Sequence, residues 1–292
     1  MNVEQLPDVL AGSIVLTGLY VLIGLSWVII FRAAHLFNFA TGELLVLSSF
    51  IVAALIGAGH SYWLSVLLGI VMMAVLGVAI YRFLLKPFAG QPVFTPVIVT
   101  LGLGFAIRGF IEIIFGSGSR RIDPPFDNTV HSLPGGITLT TFDLIVPCVA
   151  LVFYLSLLVF LRATKFGGQM RAAHENPLLA SQSGVSIYVV FSVAFVISML
   201  AISLAGVSNG QRTIVTTSAV VLGLKGLVPA MLGGLDSVGG VLAGALIVAL
   251  AETLTIYYIG AGFKDMVVFS ILLLVLAFRT TRLFGSREIQ RV

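Results

Sequence analysis

Charge is scarce in this chain, cysteine nearly missing, and the common signatures of catalysis absent. Only 10% of its 292 residues are Asp, Glu, Lys or Arg, against 59% hydrophobic residues and a mean hydropathy of +1.12. A water-soluble domain of this size has too little polar surface to cover so much apolar side chain, so most of the chain must face lipid. The single cysteine, Cys148, excludes an intramolecular disulfide and a cysteine-based metal cluster, and leaves the redox compartment open. None of Lys86, Lys165, Lys225 and Lys264 follows a glycine, so no P-loop exists and ATP hydrolysis by that route is excluded. A paired-histidine zinc motif and an aspartate-rich magnesium site are also missing, which disfavours an intramembrane enzyme and leaves no catalytic or metal-ligating candidates.

What is present is a series of apolar runs of helical span length. Crossing hydrocarbon takes roughly 20 apolar residues in a helix, because every backbone N–H and C=O must be bonded internally. Such runs lie at about 10–31, 38–58, 62–85, 93–115, 141–161, 187–207, 238–259 and 264–277. A further stretch, 213–235, is interrupted by Gly223, Lys225, Gly226 and Pro229, and reads as a broken or re-entrant segment. The expected fold class is therefore all-α, a polytopic transmembrane helical bundle of eight to nine spans. The start of the chain, MNVEQLPDVL, is acidic and lacks the basic region of a signal peptide, so the first run reads as a retained helix.

The basic pI of about 9.4 points to topology rather than to nucleic acid, since the cations are spread over loops beside apolar spans. Arg32, Arg82, Lys86, Arg162, Lys165, Arg171, Arg279, Arg282, Arg287 and Arg291 fall on one side. Arg120, Arg121, Arg212 and Lys264 fall on the other, and Arg108 and Lys225 within spans. Cytoplasmic loops hold the excess of Lys and Arg, which places the C-terminus inside. If 213–235 crosses, the N-terminus is external; if not, the starting side flips. A loop at about 116–140, rich in Gly, Pro, Ser and Asp, is expected outside, and a charged segment at about 162–186 inside.

Four groups of residues stand out. In FNFATGE, the residues Asn38, Thr41 and Glu43 are costly in hydrocarbon and must face protein, water or the interface. Thr41 is placed to cap a helix starting at Gly42, with Glu43 at its positive end; such an end also suits a substrate carboxylate. In the charged segment, Asn176-Pro177 is a helix start and Gly184 a helix stop, giving a short surface helix that carries Leu178 and Leu179. That helix suits a groove on a cytoplasmic partner; the alternative is that the segment is an ordinary solvated loop. Gly240 and Gly244 form a small-residue face for close helix packing, with Asp236 and Ser237 before them and Glu252 after, both acids expected at interfaces. Arg108 and Glu112, four apart on one span, are expected to neutralise each other. A possible echo links residues 42–55 with 239–250, either as an internal repeat or as chance similarity of apolar segments.

Taken together, these segments resemble the permease subunits of branched-chain amino acid ABC importers. The signature N-F-A-x-G-E of that family is matched by Asn38, Phe39, Ala40, Gly42 and Glu43. An inner-loop pattern is matched by Arg171, Ala172, Asn176, Ala180 and Gly184, and a late glycine pattern by Gly233, Gly234, Ser237, Gly240 and Glu252. The sequence departs from the family at Thr41, where His or Gln is common, and at Asp236, where glycine is common, which leaves the exact solute open. The resemblance implies one transmembrane permease domain over residues 1–292 in a bacterial inner membrane. It implies a second permease subunit, two cytoplasmic ATP-binding subunits that hold ATP and Mg, and an external solute-binding protein. Asn38, Thr41, Gly42, Glu43 and Ser237 would then line the substrate path. Arg171, Asn176, Pro177, Leu178, Leu179 and Gly184 would form the coupling element. Relatives carrying urea or short amides, and an ion-coupled secondary transporter, are the competing expectations; the latter normally needs ionisable groups buried near mid-membrane.

Overall fold

The computed structural model describes residues 6–88, 91, 94–116, 118–133 and 137–278. Among the described residues six helices have the length and apolarity of membrane spans: α1 (Leu6–Ala34), α3 (Tyr62–Ala79, continued by a π-helical turn Ile80–Leu85 and a 3-10 turn Lys86–Phe88), α4 (Phe94–Phe115), α5 (Thr141–Ala163), α8 (Ile187–Arg212) and α11 (Val238–Tyr258). Two shorter apolar elements join them. One is α2 (Thr41–Gly57); the other is a composite of a 3-10 turn (Thr217–Ala219), α9 (Val220–Lys225) and α10 (Leu227–Gly233). The helix α12 (Lys264–Phe278) ends the described chain, so Arg279, Arg282, Arg287 and Arg291 of the basic tally lie outside the described residues.

The all-α bundle expected from the sequence is what forms. α1 and α8 are its buried axis, with α2, α10 and α11 packed on them, while α3, α4 and α5 present large apolar side chains outward. Tyr20, Trp27, Phe50 and Phe195 are the largest fully buried residues. Outward Phe94, Phe105, Ile113 and Val152 are normal for helices whose solvent is lipid. Arg108 and Glu112 form the expected i,i+4 pair, 3.6 Å apart on α4.

The segment 116–140 is more than a loop. Its latter part folds as an antiparallel hairpin of β1 (Val130–Leu133) and β2 (Ile137–Thr140), with Val130 opposite Thr140. The hairpin runs straight into α5, whose first turn is closed by a capping box: Asp143 N–H donates to Thr140 Oγ1 (3.4 Å) and Thr140 N–H to Asp143 Oδ2 (3.0 Å).

The interrupted stretch joins the two ends of the bundle. At one end Val215 pairs with Arg120 in a β-bridge, beside the Asp143–Arg212 ion pair (3.1 Å). At the other, Asp236 lies 3.5 Å from His174, which belongs to the segment after α5. Because α5 separates those two loops, residues 213–236 pass from one face to the other. The face holding Arg32, Arg82, Lys86, Arg162 and Arg171 is called the basic face below.

Candidate translocation site and coupling segment

The break in the composite element has a local cause. In an unbroken helix the Pro229 nitrogen would donate to the Lys225 carbonyl, but proline has no N–H and its ring crowds that carbonyl. α9 therefore stops at Lys225 and α10 begins at Leu227, with Pro229 in the first turn, where no donor is needed. Gly226, at the joint, packs so closely on Ile23 of α1 that a Cβ there has no room.

Lys225 thus ends a short helix inside the bundle, where the helix dipole favours a cation. Its ammonium is 2.6 Å from Glu252 Oε1 and 2.5 Å from Asp265 Oδ1. Glu252 accepts a second hydrogen bond from the Tyr20 hydroxyl. Tyr20 stands at the midpoint of α1, and Lys225 and Glu252 are each only 4% exposed. The interfacial position expected for Glu252 is therefore corrected: it is buried at mid-depth, because a cation and a phenol from other helices neutralise and hydrogen-bond it. Above this cluster a cavity of about 660 Å³ opens toward the face opposite the basic one, lined by Lys225, Glu252, Asp265, Arg212, Lys264 and Leu222 among others.

FNFATGE is a reversal that dips back into the bundle. His35 takes a left-handed conformation (φ 52°), and the chain then turns through residues 36–40 into α2. Thr41 does not cap that helix. α2 starts at Thr41 itself, and its hydroxyl donates to the Asn38 carbonyl (2.6 Å), while Asn38 Oδ1 accepts from Ala40 N–H (3.2 Å). The N-cap position falls on Ala40, so Thr41 is already helical and is not placed to accept from the N–H groups of the first turn. Phe39 N–H donates to Thr100 Oγ1 on α4 (3.2 Å), which ties the reversal to that span. The Asn38 amide nitrogen is buried with no hydrogen-bond partner among the described residues.

Gly42 and Gly223 bring α2 and α9 into backbone contact; a Cβ on either collides with the other element. Trp27 Nε1 donates to the Gly223 carbonyl (3.2 Å), so the junction lies at the depth of Trp27, about 10 Å from the basic end of α1 at 1.5 Å per residue. Glu43, half-buried, faces α4 at Gly104, 3.1 Å from where a Cβ would stand. At the other half of the broken element, Gly240 and Gly244 meet the backbones of Gly233 and Pro229. Of the two stretches compared in the sequence, the first begins on Gly42, which grips α9, and the second contains Gly240 and Gly244, which grip α10. Ser237 caps α11, its Oγ accepting from Gly240 N–H (3.0 Å).

On the basic face, residues 162–186 fold as two helices, α6 (Lys165–Glu175) and α7 (Pro177–Gln182). Asn176 caps α7 through Leu178 N–H (3.0 Å) and Leu179 N–H (3.1 Å). Gly184, at φ 84°, closes it, with Val185 N–H on the Ala180 carbonyl (3.0 Å). Leu178 and Leu179 are 69% and 57% exposed. α6 escaped the sequence reading because Gly167-Gly168 mask its propensity. Its signal is the buried series Gly167, Met170, Ala173, and Gly167 is required because the Leu161 carbonyl lies against it. α6 is fastened to the core where the His174 ring stacks on His35 (centroids 4.0 Å) and faces Asp236. Arg171 lies exposed on the same helix.

A broken helix gripped by glycines, a buried charge cluster at mid-depth beneath a cavity, and a capped helix standing off one face define a multi-pass membrane permease. The chain belongs to the family described as the branched-chain amino acid transport system permease component, which it matches over residues 9–276. Its role is that of the permease component of such a system. It is 28% identical to the high-affinity branched-chain amino acid transport system permease protein LivH of Escherichia coli K12 over 96% of both chains. It is 24% identical to BraD of Pseudomonas aeruginosa over 97% of both chains. In three dimensions it shares the fold of a chain of PsaBC from Streptococcus pneumoniae (TM-score 0.51, 13% identity, 92% of this chain and 90% of that one). Glu252 is an ionisable group buried at mid-depth, as an ion-coupled transporter would need, and family membership is what favours the ABC permease over that alternative.

Proposed function

We propose that the chain forms half of the transmembrane conduit of an ATP-driven importer for branched-chain and related hydrophobic amino acids, in the cytoplasmic membrane of a bacterium. The basic face is cytoplasmic, the N-terminus external and the C-terminus internal, in keeping with the excess of Lys and Arg. A second permease subunit completes the conduit, two ATP-binding subunits carry ATP and Mg, and an external solute-binding protein delivers substrate to the cavity above Lys225.

One observation carries this reading: α7, capped at both ends, holds Leu178 and Leu179 in water on the basic face. Two large apolar side chains on a rigid six-residue helix suit insertion into a groove on another protein. α6 links that helix to Asp236, at the turn between α10 and α11, so a push on α7 is transmitted to the broken element. Asn38, Thr41, Gly42, Glu43 and Ser237 frame that element and form the wall along which the path opens, rather than a set of groups that all touch substrate.

The test is reconstitution in proteoliposomes with the ATP-binding subunits, the second permease and the binding protein. ATP-dependent leucine accumulation is expected. Accumulation driven by an ion gradient without the ATP-binding subunits would sink the proposal, and selective uptake of urea or an amide would replace the substrate class.

A further inference from the structure

We propose that the seam between α1, α5 and α11 is a binding site for an anionic phospholipid, with its headgroup on the basic face among Arg32, Arg162 and Arg171. The inference concerns the membrane, not the transported solute, and does not depend on the function proposed above.

Two cavities lie along this one seam. The lower, of about 540 Å³, is lined by the three arginines and by His174, Glu175 and Asp236, with Leu158, Leu161 and Gly239 on its apolar side. The upper, of about 250 Å³, is lined almost wholly by apolar groups from the same three helices: Ile14 and Val21 of α1, Ala150 and Leu151 of α5, Leu242 and Leu246 of α11. Tyr154, on the upper wall, has its hydroxyl beside Gly239 on the lower wall, 3.9 Å from where a Cβ would stand, so the two spaces adjoin.

Three arginines against two carboxylates, Glu175 and Asp236, leave the lower cavity with a net charge of +1 when His174 is neutral, and that excess favours an anion. Three guanidinium groups converge on the lower cavity, and among the described residues none of them lies within ion-pair distance of a carboxylate. Arg32 and Arg171 repel each other. Guanidinium groups that are not ion-paired around a concavity at the membrane surface are stabilised by a bound phosphate, which takes up several of their N–H donors at once. Free phosphate satisfies the arginines alone, whereas a phospholipid also fills the apolar groove above them. The dimensions fit: Leu151 and Arg162 are separated along α5 by about 16 Å at 1.5 Å per residue, against about 15 Å for half the hydrocarbon core. Gly18 lets the α5 backbone at Pro147 touch α1, and both residues line the upper cavity.

The experiment is native mass spectrometry of the purified full-length permease, titrated with phosphatidylglycerol and phosphatidylcholine of identical acyl chains. Phosphatidylglycerol is expected to bind at least about tenfold more tightly, since each arginine near an anionic headgroup contributes on the order of a fivefold factor. Replacing all three (Arg32→Gln, Arg162→Gln, Arg171→Gln) is expected to abolish that preference while leaving phosphatidylcholine binding in place. Leu151→Trp, which fills the groove, is expected to weaken both lipids. Should the triple variant fail to elute as a single folded species, Arg162→Gln alone, at an exposed helix end, must reduce the preference severalfold. Equal binding of the two lipids in the wild type overturns the proposal, as does a preference that survives loss of the arginines. Displacement of the lipid by glycerol phosphate at equal concentration overturns it too, in favour of a site for free anions.

Discussion

The Lys225 ammonium sits 2.6 Å from Glu252 Oε1 at the depth where α1 has its midpoint, and the kink that puts it there is made by Pro229, four residues on. One proline thus converts what would be an ordinary span into two half-helices, and the end of the first supplies a cation to a cluster that also holds Asp265 and Tyr20. α1, α9, α11 and α12 are all tied at this point.

Removing only one partner leaves a buried charge without its counterpart. Lys225→Met is expected to destabilise the protein by about 3–5 kcal/mol, and Lys225→Met with Glu252→Leu to recover most of that loss. Thermal unfolding of the detergent-solubilised variants reads this directly. Additive losses in the double variant would show that the two side chains do not act as a pair.

The junction of α2 with α9 tolerates no added atom at Gly42 or Gly223. Gly42→Ala and Gly223→Ala are each expected to cost about 1–3 kcal/mol by overpacking and to lower the folded yield. Gly57→Ala, where a Cβ meets nothing within 4 Å, is expected to behave like wild type. Size-exclusion profiles and unfolding midpoints of the three variants make the comparison, and equal behaviour of all three would contradict the close approach.

Loss of the Asn176 cap should loosen α7 without touching its leucines. Asn176→Ala is expected to cost about 1 kcal/mol and to speed hydrogen exchange at the Leu178 and Leu179 amides roughly fivefold. Unchanged exchange would mean that Gly184 and the packing of Ala180 hold the helix without the cap.

If α7 transmits force from an ATPase, its exposed leucines matter for coupling and not for folding. Leu178→Asp with Leu179→Asp is expected to leave the unfolding midpoint within about 0.5 kcal/mol of wild type, as for surface changes generally. The same variant is expected to abolish ATP-stimulated uptake in the reconstituted importer. Normal uptake would remove α7 from the coupling path.

The sequence by itself determined the solvent and the class of fold. Apolar runs of span length, with the cations collected beside them, dictate helices in lipid whatever their packing, because unpaired backbone groups are too costly there. Local rules also suffice for α7, since Asn176, Pro177 and Gly184 each act through bonds within a few residues. Other features needed the tertiary structure. Glu252 reads as an interfacial acid until Lys225 and Tyr20, far away along the chain, are brought to it. α6 and the arginine-lined seam were likewise decided by contacts between helices. A side chain's electrostatic partner in a membrane bundle is chosen by which helix faces touch, and the order of residues along one helix does not encode which neighbour its face will meet.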